Sequence, residues 1–168
     1  HGYAKFSNLW NLHMDAVRNF GKIDTRQLRG GPSLRIDPFT IAEIFLQTNS
    51  ASKFFFGLGA DKKWVDNDLG GSIDYTFYLR WKISNRFNIS SRSYYEELTD
   101  NNQYIAQRSL DNITRYITGK LERKTLYTTL RAEYFATPEL SFQYYGSPYA
   151  SVGKFINVNK VNQNLSGD

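Results

Sequence analysis

Two residues with acid–base potential stand close together near the start of the chain, His13 and Asp15. Two apart on an extended chain, they share one side. A His–carboxylate couple there could move protons or contribute to a metal site. The only other histidine is His1 and there is no cysteine, which leaves too few ligands for a metal centre of that kind, so the plainer expectation is a solvated pair. Glu96 and Glu97 are adjacent; on a strand they face opposite ways and cannot act on one substrate. Gly57-Leu58-Gly59 lacks a third glycine and a following helix, so it reads as strand glycines that admit close packing. No Gly-x-Ser-x-Gly element occurs. Leu28-Arg29-Gly30-Gly31-Pro32 has the glycines of a phosphate loop but no Gly-Lys-Ser/Thr ending and no helix after it. Gly30-Gly31 instead permit a bend that Pro32 holds. No catalytic group, metal set or cofactor motif emerges from these residues.

The elements that must carry these side chains are strands. In Ser72–Ser84, Ile73, Tyr75, Phe77, Leu79, Trp81 and Ile83 alternate with Asp74, Thr76, Tyr78, Arg80, Lys82 and Ser84. A period of two is the signature of a strand with one apolar face. The same pattern runs from Ala4 to Phe20 and through 40–48, 53–62, 87–98, 125–135 and 139–153. It weakens between Gln103 and Leu121, where short strands are expected at 104–108 and 114–121. No segment has a helical period. The connections 48–52, 84–86 and 136–139 read as tight turns rich in Asn, Ser and Pro, whereas 21–38, 64–71 and 99–102 read as longer polar loops.

Composition fits such alternation. Of 168 residues, 16% are aromatic but only 40% hydrophobic, and mean hydropathy is −0.54. The net charge of +5 comes from Lys and Arg scattered along the chain, so nucleic acid is not an expected partner. Several strands reach 11 or more residues; about 9–11 tilted residues cross a bilayer, and soluble strands centre on about 5–6. One face also carries many charges: His13, Asp15, Glu43, Lys53, Asp74, Arg80, Lys82, Arg92, Glu96, Arg131 and Glu133. The expected fold is all-β, an antiparallel transmembrane up-and-down β-barrel, with these residues facing a wet lumen and the apolar face meeting lipid. Tyr3, Phe20, Trp64, Tyr104, Tyr116, Phe135 and Phe155 are expected near strand ends, as interfacial girdles. About nine strands are expected; bacterial barrels normally close with an even number, so residues 1–168 form a single segment of a larger barrel. A closed eight-stranded barrel and a soluble β-sandwich that binds glycans are the competing architectures. The arginines of 26–38 are expected to fold toward the lumen and pair with Asp or Glu. "INVNKVNQNLSGD" (156–168) reads as an exposed loop.

Particular residues carry a resemblance. Leu28-Arg29-Gly30-Gly31-Pro32, Arg115-Tyr116, Thr125-Leu126, Leu130-Arg131, Thr137-Pro138 with Leu140, and Tyr144–Pro148 followed by Gly153 resemble the barrel region of an uncharacterised family of Gram-negative outer-membrane proteins. Members of that family typically carry an N-terminal module similar to family 9 carbohydrate-binding modules, which has no counterpart in these residues. The resemblance implies a location in the bacterial outer membrane, with lipid, lipopolysaccharide and other outer-membrane subunits as partners. It also implies a role as passage, receptor or scaffold, tied to glycan handling through that module. The alternative function is a barrel-borne hydrolase using lumen or loop residues.

Overall fold

The computed structural model describes residues 1–110 and 113–161. Its strands are β1 (Gly2–Lys5), β2 (Asn11–Asn19), β3 (Lys22–Asp24), β4 (Leu34–Ile36), β5 (Phe39–Gln47), β6 (Phe54–Val65), β7 (Gly70–Lys82), β8 (Phe87–Leu110), β9 (Ile113–Phe135), β10 (Ser141–Gly146) and β11 (Tyr149–Lys160). β3 and β4 form a separate hairpin. All the others belong to one antiparallel sheet in the order β1-β2-β5-β6-β7-β8-β9, with β10 and β11 end to end on the far side of β9. The register of β10 and β11 on β9 is continuous across Ser147-Pro148, and the Thr128 N–H donates to the Pro148 carbonyl at 3.0 Å. The sheet is thus an up-and-down meander. β1 and β10–β11 are its edges, and among the described residues no pairing joins them.

The connections sort by end, and the short ones share one chemistry. At one end, Asn8 caps the Trp10 N–H (3.1 Å), Asn49 caps Ala51 (2.9 Å), Ser84 caps Arg86 (3.2 Å) and Thr137 caps Glu139 (3.3 Å). Each is a side chain closing a turn two residues ahead. The other end holds the β2–β5 connection with its β3–β4 hairpin and a single 3-10 turn, Asp66–Asp68. We call the first the short-turn end and the second the long-loop end.

Four expectations change. The strand read through 4–20 breaks at Phe6–Trp10, where Leu9 adopts a φ of 64° and the Phe6 N–H donates to the Trp10 carbonyl. Residues 99–102 do not form a loop, and 104–108 and 114–121 are not separate strands: β8 and β9 run through them as one hairpin. Register shifts at Asp100/Gln103 and Tyr104/Ala106 explain the faded alternation, since each bulge inserts a residue and resets the parity. Residues 21–38 are not all loop, because they contain β3 and β4. β11 extends to Lys160, so Ile156–Lys160 is strand; residues 162–168 lie outside the described residues.

Cross-strand partners share a face, so the register defines two. One carries the row Leu12, Leu46, Leu58, Phe77, Ser93 and Thr128, and beside it Met14, Ile44, Ala60, Tyr75, Tyr95, Leu126 and Ala150. Its two facing hydroxyls, Ser93 and Thr128, bond each other at 3.0 Å. At the short-turn end this face becomes aromatic: Phe54 packs edge-on to Trp81 (centroids 6.3 Å apart) and Phe87 edge-on to Tyr134 (6.4 Å), with Phe142 and Tyr144 alongside. Much of this apolar face is open: Leu58, Tyr75, Trp81, Leu126 and Val152 are all exposed. Among the described residues the only buried apolar side chain is Leu28.

Candidate functional site: the charged face of the sheet

The opposite face carries the charges. By strand parity, His13, Asp15, Asp74, Arg80, Lys82, Arg92, Glu96, Arg131 and Glu133 all lie on it. Its central feature is a row of directly opposed partners: Asp15↔Glu43, Glu43↔Asp61, Asp61↔Asp74 and Asp74↔Glu96. Carboxylates therefore stand side by side on five successive strands of the meander. Like charges directly opposite on a sheet are destabilising, so the flanking contacts matter. Arg123 donates to Glu96 at 2.7 Å, Tyr94 to Asp74 at 2.6 Å and Ser72 to Asp74 at 3.0 Å. The His1 ring contacts Asp15.

On the short-turn side of this row the face turns basic, and its cations sit on aromatic rings. Arg92 lies 4.8 Å from the Tyr78 centroid, Arg80 5.2 Å from Phe55, and Arg131 5.8 Å from Tyr145. Such contacts hold a guanidinium without neutralising it. Arg80 also donates to the Ser50 carbonyl. Lys82, Asn88, Glu133 and Gln143 make the last row before the turns. Between the basic and acidic layers, the Phe45 ring packs against two glycines: a β-carbon on Gly57 or Gly59 would stand 2.8 Å from it. Gly57-Leu58-Gly59 is thus a seat for an aromatic ring, as its strand setting suggested.

His13 and Asp15 share the face but do not form a couple. The His13 ring tilts against Tyr3, centroids 4.8 Å apart, while Asp15 is engaged by His1. Glu96 and Glu97 do face opposite ways, onto Arg123 and Lys124 respectively. Among the described residues no group of three or more His, Cys, Asp or Glu side chains could hold a metal ion.

The Leu28-Arg29-Gly30-Gly31-Pro32 bend docks on the tall β8–β9 hairpin. Leu28 is 1% exposed. Gln27 donates to the Asn102 carbonyl at 3.1 Å, and Tyr116 donates to the Gly30 carbonyl at 3.2 Å. Arg29, at a φ of 51°, lies 5.4 Å from the Tyr104 centroid. The expected pairing of this segment's arginines with lumen carboxylates does not occur among the described residues: Arg29 finds an aromatic ring, and Arg26 and Arg35 form no ion pair. Tyr104 accordingly serves this loop from within β8, and Tyr116 from near the start of β9.

Sequence reasoning missed Asp61 as a member of the acidic row. Its parity, opposite to Leu58 and Ala60, was the available signal; its alignment with Glu43 and Asp74 depends on register. No curated protein and no solved structure matches the chain at a significant level. A model of a domain of unknown function, DUF5916, matches residues 3–166, and the chain belongs to that family.

Proposed function

We propose that this chain forms a segment of the wall of a transmembrane β-barrel in the bacterial outer membrane, its apolar face against lipid and its charged face lining a wet lumen. The observation that carries this reading is the combination of an exposed apolar face with an almost absent core. A soluble domain of this length buries many apolar side chains, whereas here only Leu28 is buried among the described residues. Dimensions agree. From Tyr134 to Lys124 the apolar face of β9 spans ten residues without a charge, about 33 Å of strand at ~3.3 Å per residue. At a tilt of ~40° that is about 25 Å of height, the height of a barrel's apolar band.

The role supported best is passage, receptor or scaffold. The acidic row makes its level of the lumen attractive to cations, as carboxylate rings do in channels. Glycan handling rests on the resemblance described above and on no feature of this sheet. The hydrolase reading lacks a couple, because His13 and Asp15 do not engage each other.

Single cysteines introduced from Ile73 to Leu79 test the wall, since the chain has none of its own. Spin labels at 73, 75, 77 and 79 are expected to be accessible to oxygen, and labels at 74, 76 and 78 to a water-soluble nickel complex. A soluble sandwich would protect the odd positions from both reagents, and that result would exclude the barrel.

A further inference from the structure

The apolar face is not symmetric about its middle. At the short-turn end it finishes in aromatics, but at the long-loop end it finishes in a layer of charges. Lys62 and Glu97 flank Ile73 in register; Lys124 follows Glu97, and Lys154 stands opposite Glu122. Lys62 lies 5.2 Å from the Trp64 ring centroid and forms no ion pair among the described residues. Lys124 contacts Glu97 at 2.9 Å and Lys154 contacts Glu122 at 2.9 Å, both through side chains that are well exposed on the lysine, 59% and 68%. Two shallow grooves open between these residues. One is lined by Lys124, Lys154, Glu122 and Val152, the other by Lys62, Trp64, Ile73 and Glu97. Asp68 also lines the second groove. In register, the next row toward the short-turn end, Ala60, Tyr75, Tyr95, Leu126 and Ala150, carries no charge.

We infer that this rim is a docking site for the phosphorylated headgroup of a lipid whose acyl chains lie along the apolar face. The inference rests on the wall reading above. Two features select an anionic amphiphile over a free anion. The cations lie at the border of an apolar surface, and Trp64 marks the depth at which headgroups begin. The exposed lysines exchange a glutamate partner for phosphate oxygens without crossing any buried position. Lysine is a point-charge phosphate binder that tolerates such exchange.

The full-length protein in detergent provides the test, with binding read by native mass spectrometry. The probes are bis-phosphorylated lipid A, the same lipid after phosphatase treatment, and inorganic phosphate. Each basic residue near an anionic surface contributes about fivefold in affinity, so the combined variant Lys62→Gln, Lys124→Gln, Lys154→Gln is expected to bind lipid A about a hundredfold more weakly. Lys82→Gln, on the other face, is expected to bind as the parent does. Dephosphorylated lipid is expected to bind parent and variant alike, and phosphate not to displace lipid A. Undiminished binding by the combined variant, no preference of the parent for the phosphorylated lipid, or displacement by phosphate each overturns the site. Heat-dependent migration on gels reports folding; should the combined variant not fold, the single variants decide, each expected to lose about fivefold. Failure of the wall reading shows separately, in the spin-label pattern along β7.

Discussion

Leu58 offers the sharpest single perturbation of the proposed wall. It stands between Leu46 and Phe77 in register, midway along the uncharged band, and is 49% exposed. If that exposure faced water, Leu58→Arg would be a surface change, within about ±0.5 kcal/mol. If it faces lipid, the guanidinium enters hydrocarbon near the bilayer midplane, at a cost of about 2–4 kcal/mol in a barrel. That corresponds to about 30- to 900-fold in the folding equilibrium. Thr76→Arg is the matched control: its register partners Gly59 and Tyr94 lie on the charged face, and Asp61 is a diagonal neighbour within reach of a long side chain. Reversible denaturation by guanidinium in phospholipid vesicles, followed by tryptophan fluorescence, measures both. The expected order places Leu58→Arg at least 2 kcal/mol below Thr76→Arg. A loss below about 0.5 kcal/mol for Leu58→Arg, or an equal loss for Thr76→Arg, would refute the assignment of the faces.

Three further outcomes are expected. Gly31→Ala places a β-carbon 2.7 Å from the Tyr116 ring; overpacking of this size costs about 1–3 kcal/mol, and limited proteolysis should cut faster within 20–38. Asp61→Asn removes one of the directly opposed carboxylates and should stabilise the sheet by about 0.2–1 kcal/mol in the same denaturation assay; destabilisation would mean that the row is held by a partner. Asp66, in the 3-10 turn, accepts from Arg18 at 2.8 Å and through a second contact, and this pairing holds its carboxyl below the usual carboxylate range. A depressed folded-state pKa contributes stability that is full above the unfolded value and is lost as pH falls through the folded one. The protection of the Leu69 amide, its exchange rate relative to the unstructured chain at the same pH, should therefore hold from neutral pH down to the normal carboxylate range and weaken below it, and Asp66→Asn should abolish that dependence.

Several features of the fold were legible because a strand's period of two is local. Wherever a strand was unbroken, parity alone assigned its faces, so residues as distant as His13 and Glu133 were placed together without knowledge of pairing. Parity failed where the local rule failed. At Phe6–Trp10 the alternation continues through a turn whose closure depends on Asn8 and a left-handed Leu9. At Asp100–Ala106 two bulges reset the parity, so one long hairpin looked like two weak strands.

An all-β chain with one apolar and one charged face follows from residue order alone, because alternation needs no neighbour to be read. Which residues stand opposite one another is set in the folded sheet. Asp15, Glu43, Asp61, Asp74 and Glu96 lie far apart along the chain and meet because each turn sets the register of the strand that follows. The same holds for Leu28 and the glycines beside it, which looked like a bare bend. Their place against Asn102, Tyr104 and Tyr116 exists only because β8 and β9 continue past the end of β7, and no local pattern encodes how far a hairpin outgrows its sheet.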